Sequence, residues 1–188
     1  TERTLDHKDR DRSVPGPEMR ELAVELSARD GGEAYWNAVM NRLRETRSPR
    51  ERVSLVRALA SFDDEVLLGR SLSLALDGSI KLQDLRYLVQ TSVTRPKSRE
   101  LALAWYDMHW DPWRARLPTY QAARAIAIVP STCGSKFKAP LFAKFEASLP
   151  EFQGWKRTYQ ASVASANACE ALRSHTGTTF GPALRSGR

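Results

Sequence analysis

The chain has 188 residues, 41% of them hydrophobic and 27% charged, a composition that fits one globular domain able to bury a core without disulfide or metal staples. No stretch approaches the roughly 20 apolar residues a membrane span needs. The net charge of +7 comes from 29 Lys+Arg against 22 Asp+Glu and would suit a nucleic-acid partner, but acids alternate with bases nearly everywhere. The charge therefore reads as a solvated mixed surface, and no nucleic acid is expected.

Residues 1–16 are charged, lack apolar periodicity and run into Pro15-Gly16-Pro17, which predicts a flexible arm or linker. The opening Thr-Glu-Arg-Thr has neither a Met nor an apolar signal region, as expected of a fragment or a processed form, with a cytoplasmic setting favoured. Residues 17–174 read as one helical-repeat domain. Residues 175–188, rich in Gly, Ser and Thr, read as a flexible tail.

Helical spacing dominates the domain. Glu18 to Arg29 sets Met19, Leu22, Ala23 and Leu26 on one face, and Gly31-Gly32 ends the run. Glu33 to Thr46 carries Trp36, Val39, Met40 and Leu43 in register. Ser48-Pro49-Arg50-Glu51 is a helix start with a capping Ser, a Pro at the first helical position and a Glu three residues on. Leu55, Val56 and Leu59 line its buried face. Asp63-Asp64 caps Glu65 to Leu76, which carries Leu68 and Leu72 and closes at Asp77-Gly78. Lys81 to Val93 carries Leu85, Leu88 and Val89. After Pro96, Ser98 to Trp110 carries Leu101, Ala104, Trp105 and Met108.

Short links between helices of about a dozen residues force antiparallel neighbours. The fold class is therefore all-α, with HEAT- or armadillo-like stacked helical hairpins recurring about every 30 residues and forming a curved α-α superhelix. The last third is divided by Pro112, Pro118, Pro130, Pro140 and Pro150. Helices are expected there near Thr119–Ile128, Lys136–Ser148 and Gln153–Ser174, and no strand pair is expected.

The chain offers no chemistry of its own. His7, His109 and His175 share no helical turn, whereas a catalytic zinc needs three convergent ligands. The His-Glu-x-x-His motif, Gly-rich phosphate loops and the Gly-x-Ser-x-Gly elbow are absent. Cys133 and Cys169 are too few for a disulfide framework and match no zinc spacing, so they are expected as small buried hydrophobes. Asp63-Asp64 is better explained by capping than by acid-base work. Trp105, Tyr106, Trp110 and Trp113 are expected to pack in the core. A stacking groove for single strands would need their rings exposed beside Arg.

An ordered series of segments resembles a known family. It comprises Arg57-Ala58-Leu59-Ala60, Leu67-Leu68-Gly69-Arg70, Leu74-Ala75-Leu76-Asp77-Gly78, Lys81-Leu82-Gln83-Asp84, Arg95-Pro96-Lys97-Ser98-Arg99-Glu100-Leu101-Ala102 and His109-Trp110-Asp111. Gly31-Gly32-Glu33-Ala34, Ser48-Pro49-Arg50-Glu51-Arg52, Phe142 to Phe145, Gly154 and Arg157 continue it. The series resembles the C-terminal helical domain of zinc aminopeptidases of the puromycin-sensitive, endoplasmic-reticulum and membrane-alanyl type, over roughly residues 18 to 174. It departs from the family at Leu103, where a Trp is usual, and at His109, where an Asn is usual.

The resemblance implies a non-catalytic piece of a larger hydrolase, with zinc, its ligands and the general base in an upstream domain of the same polypeptide. This chain would enclose the active-site chamber and control the access of peptide substrates. It implies no cofactor, no catalytic residue and no metal ligand here. Arg86, Arg95, Arg99 and Arg124 are its candidate inner-face bases for a peptide's C-terminal carboxylate, whose geometry an Arg fork matches. The alternative is a stand-alone HEAT-like scaffold binding a protein or nucleic acid on its concave face.

Overall fold

A computed structural model of the chain describes residues 16–117, 119–148 and 155–185, and the side chains of residues 17, 18, 20, 119–124, 127 and 177–185 lie outside that description. The expected arm falls almost wholly in residues 1–15, outside the described residues. Among the described residues there are nine α-helices, one 3₁₀ segment and no strand. The helices are α1 (Pro17–Asp30), α2 (Glu33–Glu45), α3 (Pro49–Leu59), α4 (Glu65–Asp77), α5 (Leu85–Thr94), α6 (Pro96–Met108), α7 (Trp110–Arg116), α8 (Lys138–Ser148) and α9 (Lys156–Arg185), with the 3₁₀ segment at Thr119–Thr132. The all-α expectation holds. No helix among the described residues is long and apolar enough to cross a membrane.

The elements stack in two rows. α1, α3, α5, the 3₁₀ segment and α9 pack in that order in one row, while α4, α6 with α7, and α8 follow one another in the second. α2 joins the second row through Trp36, whose indole N–H donates to Ser71 Oγ on α4 at 2.8 Å. The side-chain ties between neighbours recur at nearly constant spacing. Glu21–Arg50 are 29 residues apart, Arg52–Asp84 32, Asp63–Arg95 32, Glu100–Ser135 35, Asp107–Lys144 37 and Lys138–Glu170 32. A fixed separation of one hairpin is what a stack of repeats produces, because each unit touches chiefly the next.

Local starts and stops follow the sequence. Ser48 caps α3 by accepting from the Glu51 amide at 3.3 Å, but Glu51 does not reach back to complete the box. Its carboxylate instead takes Arg42 at 2.6 Å and the Thr46 hydroxyl. Asp64 caps α4 through the Leu67 amide at 2.9 Å, and Gly78 closes that helix at φ 91°, a left-handed position that suits glycine. Gly31 ends α1 for a different reason. Its φ is −70°, but a Cβ there would lie 2.8 Å from the Ser27 carbonyl oxygen and 2.9 Å from Tyr35 Cδ1.

Four boundaries or helix types differ from expectation. α5 starts at Leu85, because Lys81 to Asp84 forms a turn in which the Asp84 amide donates to the Lys81 carbonyl at 2.8 Å. The helix expected to run to Trp110 breaks at His109 (φ −105°, ψ 23°) and resumes as α7. The segment from Thr119 is 3₁₀ rather than α and contains Pro130, which lacks the amide an α-helix would use. α9 continues to Arg185, past Ser174 where that helix was expected to end. Met19, Leu22 and Leu26, which the spacing sets on one face of α1, are exposed.

The cysteines correct a further expectation. Cys133 and Cys169, 36 positions apart in sequence, form a disulfide. Their spacing is one repeat, which sets the end of the 3₁₀ segment against α9. A count of cysteines carries no such information. Lys138–Glu170 at 2.6 Å and Lys138 to Asn167 at 2.9 Å fasten the same junction.

The core runs through both rows. Phe62, Leu59, Leu68, Leu72, Leu85 and Leu88 are essentially inaccessible, as are Leu103, Tyr106, Trp113, Ile126 and Phe145. Each such side chain removed from water contributes on the order of 1.5–3 kcal/mol. The aromatic cluster lies in this core. Trp110 meets Phe145 edge to face at 4.6 Å, Tyr106 meets Trp113 at 4.9 Å and Trp105 stacks on His109 at 4.5 Å. Burial pushes the Tyr106 hydroxyl far above its ordinary value. Rings held this way are not a stacking platform for bases.

Candidate functional site

No three His, Cys, Asp or Glu side chains converge among the described residues. His109 Nδ1 lies 2.9 Å from the Trp105 carbonyl oxygen, and both cysteines are bonded to each other. The residues present do not fit a zinc ion, and no step of chemistry is assigned to them.

Several cations of the described surface are matched by acids. Arg42 pairs with Glu51, Arg50 with Glu21, Arg70 with Glu33, Lys97 with Asp63 and Lys144 with Asp107.

Three of the four candidate arginines have described side chains. Arg86 begins α5 and Arg95 follows its end, so roughly 13 Å of helix separates them. Arg95 is committed to the scaffold. It pairs with Asp63 at 2.6 Å, both side chains being about 15% exposed, and donates to the Ser61 carbonyl. Burial alone would raise the Asp63 carboxyl, but hydrogen bonds from Lys97 and Arg95 outweigh it and hold that carboxyl below its ordinary range. Arg99 lies on α6, half-buried, with its Nε buried and without an acceptor. The side chain of Arg124 lies outside the described residues.

Arg86 belongs to a different arrangement. Its guanidinium carbon sits 4.4 Å from the centre of the Tyr87 ring, and it donates to the Tyr87 hydroxyl. Arg57, from α3, lies 5.2 Å from the same ring. Two exposed guanidinium groups from neighbouring helices therefore bracket one half-buried tyrosine. Among the described residues neither has a carboxylate partner. The ring holds both forks by cation–π attraction and leaves their N–H groups for an external acceptor, to which a carboxylate is the matched shape.

Arg57 and Tyr87 were not among the sequence candidates. A signal was available, since positions 57 and 87 are 30 residues apart, about one repeat, which sets them on successive helices of one row, late in α3 and early in α5. Two shallow grooves flank the cluster's row. The larger, about 490 Å³, is lined by Arg29, Glu33, Asp64 and Arg70 among others. The smaller, about 210 Å³, has Arg44, Arg52, Lys81 and Asp84 in its wall. Neither gathers a catalytic set.

The profile of the family described as ERAP1-like C-terminal domain matches residues 2–168. Over 90 residues, 48% of this chain and 10% of the relative, the sequence is 37% identical to an alanine/arginine aminopeptidase of Saccharomyces cerevisiae. Over 95 residues, 50% of this chain and 12% of the relative, it is 28% identical to a probable aminopeptidase 2 of Sulfurisphaera tokodaii. The chain thus spans about a tenth of the length of these curated relatives.

Proposed function

Because the chain belongs to the family of ERAP1-like C-terminal domains, we propose that it is the non-catalytic C-terminal domain of a zinc-dependent aminopeptidase, enclosing the chamber in which peptides are trimmed and governing their entry. On this reading the zinc and its ligands belong to other parts of the polypeptide. The part played here is recognition of the far end of the substrate. The observation that carries it is the pair Arg57 and Arg86 flanking Tyr87, two exposed forks without a carboxylate of their own. A peptide held by its C-terminal carboxylate there would be presented with its N-terminus toward the catalytic domain, so that the distance between the two sites selects peptide length.

Two experiments test this. The native polypeptide should be several times heavier than 21.2 kDa and carry one zinc, while this chain alone should release no amino acid from aminoacyl reporters. Metal-dependent turnover by the pure chain would defeat the reading. In the full-length enzyme, peptides ending in a free carboxylate should show a lower KM than the same peptides ending in an amide. The double variant Arg57→Ala/Arg86→Ala should erase that difference, since a charge-assisted hydrogen bond contributes about 1.5–3 kcal/mol, or roughly ten- to a hundredfold in KM. An unchanged acid-to-amide ratio in the variant would remove the cluster from the proposal.

A further inference from the structure

Among the charged side chains lining the smaller groove, Arg52 and Asp84 are the buried ones, at 12% and 6% exposure. Asp84 accepts from Arg52 Nε at 2.7 Å. The two terminal nitrogens of that guanidinium have no acceptor among the described residues. A largely buried guanidinium with most of its N–H groups unused is costly unless something in the groove accepts from them.

The rest of the lining adds to the same field. Arg44, in the last turn of α2, is exposed and meets only Asn41 Oδ1 at 3.3 Å. Lys81, in the turn ahead of α5, is exposed and has no carboxylate partner among the described residues. Ser79 donates its amide to Asp77 Oδ1 at 2.8 Å, and its hydroxyl has no partner among the described residues. Asp84 is the one acid of the lining, against the three bases Arg44, Arg52 and Lys81, so the groove carries an excess of two positive charges. α2 and α4 end at this edge of the stack while α3 and α5 begin there. Their dipoles therefore offset one another, and the side chains set the sign of the field.

Size narrows the occupant. The groove encloses about 210 Å³, less than the roughly 300 Å³ at which pockets for drug-sized molecules begin. A small dianion matches both the volume and the charge. Guanidinium forks bind two oxygens of a tetrahedral oxyanion side by side, and a lysine adds a point charge. We propose that this groove is a binding site for a phosphate dianion, free or carried on a larger molecule, held by Arg44, Arg52 and Lys81 with the Ser79 hydroxyl. Arg44 and Arg52 come from one hairpin and Ser79 and Lys81 from the next, so the ion ties successive units of the stack together. Arg57, Arg86 and Tyr87 line no part of it, and the site does not depend on their role.

Hydrogen exchange in residues 79–84 of the native full-length polypeptide, titrated with inorganic phosphate, tests this. Exchange in that turn should slow to a plateau as phosphate is added. Arg44→Gln/Lys81→Gln should move the midpoint to at least roughly tenfold higher phosphate, as the loss of charge-assisted hydrogen bonds does. Both side chains are exposed and neither ties one element to another, so this variant tests the site and not the fold. Arg57→Gln/Arg86→Gln should leave the midpoint where it is, and acetate at matched ionic strength should not slow the turn. Glycerol phosphate as effective as inorganic phosphate would support the site as one for an attached phosphate group, and inorganic phosphate acting alone would support it as one for the free ion. Exchange that phosphate leaves unchanged, or slows equally in Arg44→Gln/Lys81→Gln, would overturn the site. A midpoint moved instead by Arg57→Gln/Arg86→Gln would overturn it too. Slowing by acetate equal to that by phosphate would also do so, because it would mark diffuse screening and not a built site.

Discussion

Arg52 Nε lies 2.7 Å from Asp84 Oδ2, and the two side chains are only 12% and 6% exposed. The pair joins the first half of α3 to the turn that starts α5. Arg57 and Tyr87 meet farther along the same two helices, and Asp63 and Arg95 beyond them. The three ties advance in the same direction, so α3 and α5 run parallel, as equivalent helices of successive hairpins do.

Removing one partner of such a pair leaves the other charge buried and unmatched, which costs about 3–5 kcal/mol. Arg52→Met should therefore destabilise the chain strongly in urea. The double variant Arg52→Met/Asp84→Asn should recover a large part of the loss, because no charge remains to be desolvated. A double variant as unstable as the single one would mean that packing of the arginine stem, not charge, holds the junction.

Much of this arrangement could be read from the chain. Capping residues and 3.6-residue spacing located α1 to α4 to within a residue or two, because Ser48, Asp64 and Gly78 act on their own neighbours. The spacing of about 30 residues exposed the repeat. What escaped depends on contacts between units. Cys133 and Cys169 were sorted by number, although their separation of 36 residues is close to the 32 between Lys138 and Glu170, which meet. The spacing on α1 showed an apolar face but not that it is exposed, because amphipathic spacing does not say which neighbour covers a face. Arg95 looked like Arg86 in sequence, and only the approach of Asp63 commits it to the scaffold.

The disulfide closes a loop over a separation of 36 residues. Chain-entropy arguments give such a closure roughly 4 kcal/mol, and for a domain of this size each kcal/mol moves Tm by about 2–4 °C. Reduction by a dithiol, or the variant Cys133→Ser/Cys169→Ser, should lower Tm by about 8–15 °C. Because Trp155, just before α9, and Tyr159 and Ala166 within it are buried ahead of Cys169, hydrogen exchange should quicken most from residue 167 onward. Equal quickening throughout α9 would show that the bond holds the whole helix in place and not only its outer part.

The Asp63 carboxyl predicts an acid limb. A carboxyl held below its ordinary value in the folded chain stabilises the fold above its unfolded pKa, roughly 4. That contribution is lost as pH falls through the lower folded value. Glu51, held down first by Arg42 and then by Thr46, and Glu170, held down first by Lys138 and then by the Gly134 amide, act in the same window. Tm should be nearly level from pH 7 to about 5 as far as these groups decide it, and fall below about 4. Asp63→Asn should start lower at neutral pH and lose less on acidification. Parallel curves for variant and parent would mean that Asp63 titrates alike in the folded and unfolded chains.

Trp36 separates a buried hydrogen bond from a surface one. Its indole N–H donates to Ser71 Oγ at 2.8 Å inside the α2–α4 contact, while Arg70 lies 4.2 Å over the ring from outside and pairs with exposed Glu33 at 2.8 Å. Ser71→Ala leaves a buried donor without an acceptor, at a cost of about 1–3 kcal/mol. Arg70→Ala removes a cation–π contact of about 0.5–1 kcal/mol and an exposed ion pair that contributes little. Urea titration should therefore rank Ser71→Ala as the more damaging change, and 0.5 M salt should narrow the gap between Arg70→Ala and the parent while leaving Ser71→Ala where it is. The reverse ranking would mean that water reaches the indole N–H once the serine is gone, and that the guanidinium over the ring is the stronger tie between α2 and α4.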